Sequence, residues 1–187
     1  MKAAPRFLNR VVAALLSLLL VLSPAWAEDQ SKLDDLFRRL QTADAEEAGR
    51  IESEIWIEWS KSGSPTLDLL LQRGSDAMAN GEPQVAIEHF TAIIDHDPQF
   101  TEAWNARATA YYSAGEIGPS MADIAHVLNA NPRHFGALTG LGMILEETGD
   151  ETRALKAYRA AKAIHPHLEA VNEAIDRLEK KLEGQDL

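Results

Sequence analysis

A constant interval of 34 residues separates the turn-forming residues of this chain, and it restricts the possible folds more than any other feature. Three prolines and three glycines repeat at that interval. They are Pro98, Pro132 and Pro166, with Gly81, Gly115 and Gly149. A period of about 20 to 50 residues is typical of stacked supersecondary units. Glycine adopts left-handed backbone conformations readily, and proline stops helices because it lacks an N–H. We therefore expect each unit to be two helices joined at the glycine.

Three such units cover residues 67–100, 101–134 and 135–168, and their packing residues recur with them. Each first helix has a small residue at one shared position, and each second helix has a bulky one. The small residues are Gly74, Ala108 and Gly142, and the bulky residues are Phe90, Ile124 and Tyr158. Small residues let paired helices approach closely, and bulky residues opposite them fill the remaining space. This pattern predicts the core of each unit.

The unit resembles the tetratricopeptide repeat, a helix–turn–helix motif of about 34 residues. The likeness is greatest in residues 101–134, where Trp104, Tyr111, Gly115 and Pro132 occupy the positions of the family signature. The resemblance implies an all-α, right-handed helix–turn–helix solenoid of three repeats. It also implies a protein that binds other proteins and is not an enzyme.

Helical segments flank the repeats. Residues 28–66 contain two amphipathic helices without the repeat's glycine, and we expect a helical cap packed on the first repeat. A degenerate fourth repeat is the alternative. Trp56 and Trp59 of this segment are expected to pack against residues 67–80, with a binding patch as the alternative. Residues 169–187 are expected to form a C-terminal capping helix and a short tail.

The first 27 residues are typical of a cleaved secretory signal. Basic Lys2, Arg6 and Arg10 precede the 12-residue apolar run Val11–Leu22, and an A-x-A site ends at Ala27. The run is too short to span a bilayer comfortably, and the small-residue site favours cleavage. We expect a periplasmic protein without stable membrane insertion after cleavage. A retained anchor and release to the outside are the alternatives.

The remaining chain is acidic and contains no cysteine. The signal segment has three basic residues and no acidic one, so the formal charge changes from −11 for the whole chain to −14 after cleavage. Such a charge disfavours binding to nucleic acid and to anionic lipid. The lack of cysteine excludes disulfides, thiol catalysis and cysteine-ligated zinc.

Two groups of polar residues could suggest a metal site or a catalytic triad, and we reject both interpretations. His165 and His167 lie in an inter-repeat turn without a converging set of three or four ligands, so we interpret them as surface or helix-end histidines. Ser120, Asp123 and His126 share one helix, are expected to point outward, and have no oxyanion element beside them. We expect no catalytic residue, no metal and no cofactor.

By family resemblance, the first helices of the repeats line a concave peptide-binding groove. Carried over by position, the lining residues are Leu71, Ser75, Met78, Asn105, Thr109, Tyr112, Thr139, Met143 and Glu146. Methionines supply adaptable apolar contact, and an asparagine side chain pairs with peptide backbone. Asp68, Glu102 and Glu146 favour a partner segment that carries Lys or Arg.

One subgroup of the family clamps the C-terminal carboxylate of chaperones with Lys, Asn and Arg side chains. The matching positions here carry none of these. They are Leu71, Ser75, Ala106, Gly136 and Gly140. We therefore expect no recognition of chaperone tails.

These observations predict a periplasmic adaptor that holds a peptide or a helix of another envelope protein in its groove. The alternative is a self-associating, dimeric envelope protein that uses Trp56, Trp59 or the apolar side of the last helix. A metal carrier or an enzyme is the third hypothesis.

Overall fold

Nine α-helices and their connecting turns form the part of the chain that the computed structural model describes, residues 24–183, with side chains from Ser31 onward. The helices are α1 Pro24–Leu40, α2 Ala45–Trp59, α3 Pro65–Ala79, α4 Pro83–His96, α5 Thr101–Ser113, α6 Ile117–Ala130, α7 Phe135–Glu147, α8 Glu151–Ile164 and α9 Glu169–Glu183. The predicted all-α class is confirmed. Within residues 24–183, no helix has the length and apolar character needed to cross a membrane. Most of the predicted signal lies outside the described residues.

The glycines turn each helix pair, as expected. Gly81, Gly115 and Gly149 have φ angles of 75°, 77° and 83°, in the left-handed region that glycine tolerates best. The residue after each glycine donates its backbone N–H back into the first helix, for example from Glu82 to the Ala77 carbonyl at 2.9 Å. This pattern satisfies carbonyl groups that a helix end otherwise leaves unpaired.

The predicted small-to-bulky pairing is confirmed in each repeat. A Cβ atom added to Gly74 would lie 2.3 Å from Phe90 Cε1, and one added to Gly142 would lie 2.5 Å from Tyr158 Cε1. Ala108 packs in one buried cluster with Ile124. Each second helix therefore inserts its large side chain where the first helix has almost none.

The last helix, α9, packs on α8. Its apolar stripe is buried, and its residues share one core cluster with Tyr158 and Leu155 of α8. The stripe residues are Val171, Ala174, Ile175 and Leu178. Lys180 and Lys181 lie in its last turn, where positive charge complements the helix dipole.

The N-terminal hairpin, defined as α1 and α2, packs on the third repeat, and the expectation that it packs on the first repeat is wrong. Its buried stripe meets Phe135, Ile164 and Leu168. The stripe consists of Leu36, Phe37, Leu40, Ala48, Ile51 and Ile55. The physical reason is the distribution of apolar surface. The third repeat offers these large side chains, whereas α3 carries Gln72, Arg73 and Asp76 as exposed residues.

Hydrogen bonds hold the hairpin along the edge formed by the inter-repeat turns. The Gln41 side chain donates to the Ile164 carbonyl at 2.7 Å, and His167 Nε2 donates to the Ala43 carbonyl at 2.9 Å. An ion pair joins Arg133 to Asp34 at 2.7 Å. The hairpin thus contacts inter-repeat turns far beyond it in the chain, at separations of up to 124 residues.

Both tryptophans of α2 contact the third repeat, so the expected packing against residues 67–80 is also wrong. Trp59 stacks on His134 with ring centroids 4.2 Å apart, and Trp56 meets the ring of Phe135 edge-on at 5.4 Å. His134 and His165 are buried, each 1% exposed. Of the two interpretations of His165, the surface position is wrong and the helix-end position is confirmed, because His165 is the C-cap residue of α8. The hairpin covers both rings, which form part of the surface on which it packs.

Candidate functional site

A groove of about 280 Å³ lies between α5 and α7, and we call it the α5–α7 groove. Five of the nine predicted binding residues border it. They are Asn105, Thr109 and Tyr112 from α5, with Thr139 and Met143 from α7. The spacing of three and four residues puts each set on one face of its helix. Whether these residues bind a partner stays a prediction.

Two glycines of α7 border this groove without a side chain, Gly136 and Gly140. The space beside Gly140 stays open, and the space beside Gly136 is filled by the ring of Trp56. The buried side chains of Ala108, Ile124 and Ile144 form its apolar floor. The result is a slot with an apolar base and a partly polar rim, the combination typical of ligand sites.

Hydrogen bonds hold the polar rim in place. Tyr112 donates its hydroxyl proton to Glu147 Oε2 at 3.0 Å, which joins α5 to α7 and raises the pKa of Tyr112. Asn105 donates to Glu102 Oε1 at 3.0 Å and keeps its amide oxygen toward other partners. Thr139 bonds the Phe135 carbonyl of its own helix at 2.8 Å. The rim is therefore largely ordered before any partner arrives.

The other four predicted residues lie outside this groove. Leu71 and Met78 pack in the core of the first repeat, and Ser75 bonds the Leu71 carbonyl. Glu146 accepts hydrogen bonds from the Tyr158 hydroxyl at 3.1 Å and from Arg177 at 2.7 Å. Burial and the neighbouring carboxylate together raise the pKa of Tyr158. The α5–α7 groove thus contains part of the predicted set, and the binding role of the other four residues stays a prediction.

The carboxylates expected to attract a basic partner have partners inside the molecule. Asp68 accepts the backbone N–H of Ser62 at 3.0 Å. Glu102 lies 3.2 Å from the ring of His134. With Glu146 held by Arg177, none of the three predicted acids projects into the α5–α7 groove.

Two residues of α2, Glu52 and Trp56, also line this groove. Glu52 was not predicted as a binding residue, and a binding patch at Trp56 was the alternative to packing on residues 67–80. Glu52 Oε2 lies 3.2 Å from His165 Nε2, and this hydrogen bond lowers the pKa of the Glu52 carboxyl despite its partial burial. The 34-residue period could not place these residues here, because the hairpin does not share the repeat's pattern and its contacts join distant parts of the chain.

Ser120, Asp123 and His126 do not form a catalytic group, although their predicted outward orientation is wrong for the first two. Ser120 is buried and donates to the Ala108 carbonyl at 2.8 Å. Asp123 is buried in a bidentate ion pair with Arg107, at 2.7 and 3.0 Å. The ring of His126 stacks on Trp104 at 3.8 Å. Each side chain is thus turned to a different neighbour. Among the described side chains, no three or more His, Asp or Glu residues are grouped as a metal site would require.

Comparisons with known proteins agree with this architecture. A family model described as the tetratricopeptide repeat matches residues 71–118 and 122–169. A TPR repeat-containing protein of Rhizobium etli is 37% identical over 161 residues, which are 86% of this chain and 79% of that protein.

Two solved structures show the same fold at low identity. The first TPR domain of Spaghetti (RPAP3), bound to an HSP90 peptide, has a TM-score of 0.60 and 19% identity, covering 63% of this chain and 93% of that one. The Yersinia enterocolitica type III secretion chaperone SycD, in complex with a peptide of the translocator YopD, has a TM-score of 0.59 and 13% identity, covering 63% and 95%. The family model and the Rhizobium relative assign this chain to a family by sequence, and the solved structures share its fold. The chain belongs to the tetratricopeptide repeat family.

Proposed function

We propose that this protein is an interaction scaffold that holds a segment of another protein in the α5–α7 groove. The observation that carries the proposal is the groove itself, in which five residues predicted from the repeat pattern surround an open apolar floor. Two similar structures, at low identity, hold peptides of other proteins. These complexes support the binding of a peptide by this chain.

The groove is already formed before a partner binds. Tyr112 and Glu147 join the two helices, and Gly140 leaves space between them free. Because the receptor side is already ordered, binding requires little further loss of conformational entropy from it. Most of the conformational entropy lost on binding is then lost by the partner, as for extended and helical peptides that bind in preformed grooves.

The residues named for the self-association hypothesis are partly used in contacts within the molecule. Trp56 and Trp59 are engaged with His134 and Phe135, and the apolar stripe of α9 is buried against α8. Light scattering of the purified protein separates the two hypotheses, since a stable dimer at micromolar concentration favours self-association and a monomer favours the scaffold.

The double variant Asn105→Ala, Tyr112→Ala tests the groove. It removes two rim side chains and leaves the apolar floor intact, so the fold should persist while partner binding is lost. The measurement is quantitative mass spectrometry of proteins that co-purify with the variant and with the wild type from the native cell. A matched control replaces the exposed Gln72 of α3 by alanine. Partners retained equally by both variants would rule out this groove as the binding site.

We further propose that the scaffold acts in the cell envelope. The basic start, the apolar run and the A-x-A site of the first 27 residues support export. Cleavage after Ala27 would leave residues 28–40 of α1, which include its buried residues Leu36, Phe37 and Leu40. N-terminal sequencing of the protein from fractionated cells should therefore begin at Glu28 in the periplasmic fraction. A chain that keeps Met1 and stays in the cytoplasm would refute export.

A further inference from the structure

We propose that α2 of the N-terminal hairpin is a working wall of the groove, and that it selects partner segments with one bulky apolar side chain beside Lys or Arg. The inference rests on the proposed function and adds the chemistry of the partner. It also assigns a binding role to a part of the chain that lies outside the repeats.

Trp56 closes one end of the groove. A Cβ atom on Gly136 would lie 2.7 Å from Trp56 Cη2, so the indole occupies the space that a side chain at this position would fill. The α2 helix reaches α7 only because residue 136 is glycine. The groove therefore ends at an aromatic surface supplied by the hairpin, and Tyr112 borders it from α5.

We assign the space over the Ile124 floor, about 280 Å³, to one entering side chain of the partner. The rest of the partner segment would lie along the open side of the groove. A Cβ atom on Gly140 would stay 3.6 Å from Ile124 Cδ1, an ordinary contact distance, so this turn of α7 leaves room for an entering group. A bulky aliphatic or aromatic side chain would bury its surface there between the rings of Trp56 and Tyr112.

The charge around this slot selects what accompanies the apolar side chain. The described residues that line the groove include no Lys, Arg or His, and Glu52 is the one acid among them. Glu52 bonds His165 and Trp56 inside the molecule but keeps 33% of its side chain exposed, whereas Glu102 beside His134 is 10% exposed. A partner with Lys or Arg next to its apolar residue gains attraction from the exposed part of the Glu52 carboxylate, and an acidic segment meets repulsion there.

The test is a selection of random short peptides, displayed on their encoding RNA, against the full-length protein purified from its native cell. Enriched peptides should share a large apolar residue with Lys or Arg within a few positions. The affinity of one enriched synthetic peptide should then fall about tenfold in Trp56→Ala, the loss of a typical aromatic anchor.

A second variant keeps the test valid if Trp56→Ala displaces the hairpin. Gly140→Leu fills the slot from α7 without touching α2 and should also weaken the peptide about tenfold. Gly118→Leu is its control, because a Cβ atom on Gly118 of α6 meets nothing within 4 Å. Circular dichroism confirms that each variant is folded.

The outcomes separate the two proposals. Enriched peptides that depend on Asn105 and Tyr112 but bind equally well to Trp56→Ala and Gly140→Leu overturn the role of α2 and leave the groove in place. Enriched peptides rich in Asp or Glu overturn the charge preference. If peptide affinity is also unchanged in the Asn105→Ala, Tyr112→Ala variant, or if no peptide is enriched, both proposals are overturned.

Discussion

At the scale of the residue, the close approach of paired helices depends on single missing side chains. Gly74 faces Phe90 and Gly142 faces Tyr158, in each case at a distance that even one methyl group would violate. The same requirement is visible in the sequence because the positions recur at the repeat interval. Small residues that face bulky residues at matched positions thus allow the two helices of each pair to pack closely.

Gly74→Ala should destabilise the protein by about 1 to 3 kcal/mol, because the ring of Phe90 must move to admit the methyl group. The control is Gly49→Ala in α2, where a Cβ atom meets nothing within 4 Å. Alanine there should stabilise the helix by about 0.5 to 1 kcal/mol. Urea unfolding of both variants measures the difference. Equal stability of the two would show that the close packing of Gly74 on Phe90 does not matter.

Some residue roles could be predicted from the sequence, and others could not. Gly81 and Phe90 were predictable because their roles are local and are repeated in each unit. The burial of Asp123 was not predictable, since it depends on an ion pair with Arg107 of the preceding helix, and the positions that match Asp123 in the other repeats are His89 and Ala157. An ion pair of this kind leaves no periodic trace in the chain.

At the scale of the element, the N-terminal hairpin is the part that the sequence placed wrongly. Its two helices were predicted from their apolar stripes, and these stripes are buried as expected. Their partner was not predictable, because periodicity shows that a face is buried and does not show against what. Phe135, Ile164 and Leu168 supply the larger apolar surface, and the hairpin bypasses the first repeat to reach it.

The docking of this hairpin should weaken in acid. The hydrogen bond from His165 lowers the pKa of Glu52 below its ordinary value of 4.5, although partial burial opposes the shift. A carboxyl whose folded-state pKa is lowered adds stability that is present above the unfolded value and is lost as the pH falls through the folded value. Glu52 therefore contributes at pH 7, and its contribution disappears below about pH 4.5.

Glu52→Gln makes this contribution measurable. The variant should be less stable than the wild type at pH 7 by about 1 kcal/mol, and the gap should close as the pH falls below 4.5. Urea unfolding followed by tryptophan fluorescence at several pH values provides the data. Glu54→Gln, an exposed change on the same helix, is the control and should show no such gap. A constant gap across the whole pH range would contradict the account.

At the scale of the whole molecule, three repeats form a stack that α9 extends at one end and the hairpin ties along one edge. The family fold follows from the 34-residue period alone, since each repeat contacts mainly its neighbours. The candidate groove followed only in part. Asn105, Tyr112 and Met143 lie at its border, at positions carried over from the family resemblance, whereas Trp56 and Glu52 reach it through contacts that cross the molecule.

The central claim is that another protein sits in the α5–α7 groove, and photo-crosslinking in the native cell tests it most directly. Met143 is 44% exposed at the groove, and Val85 on α4 is 40% exposed away from it, so a photoreactive residue at each position forms a matched pair. The account predicts an adduct with another protein from position 143 that is absent from position 85. The same adducts from both positions, or only adducts of the protein with itself from position 143, would contradict it.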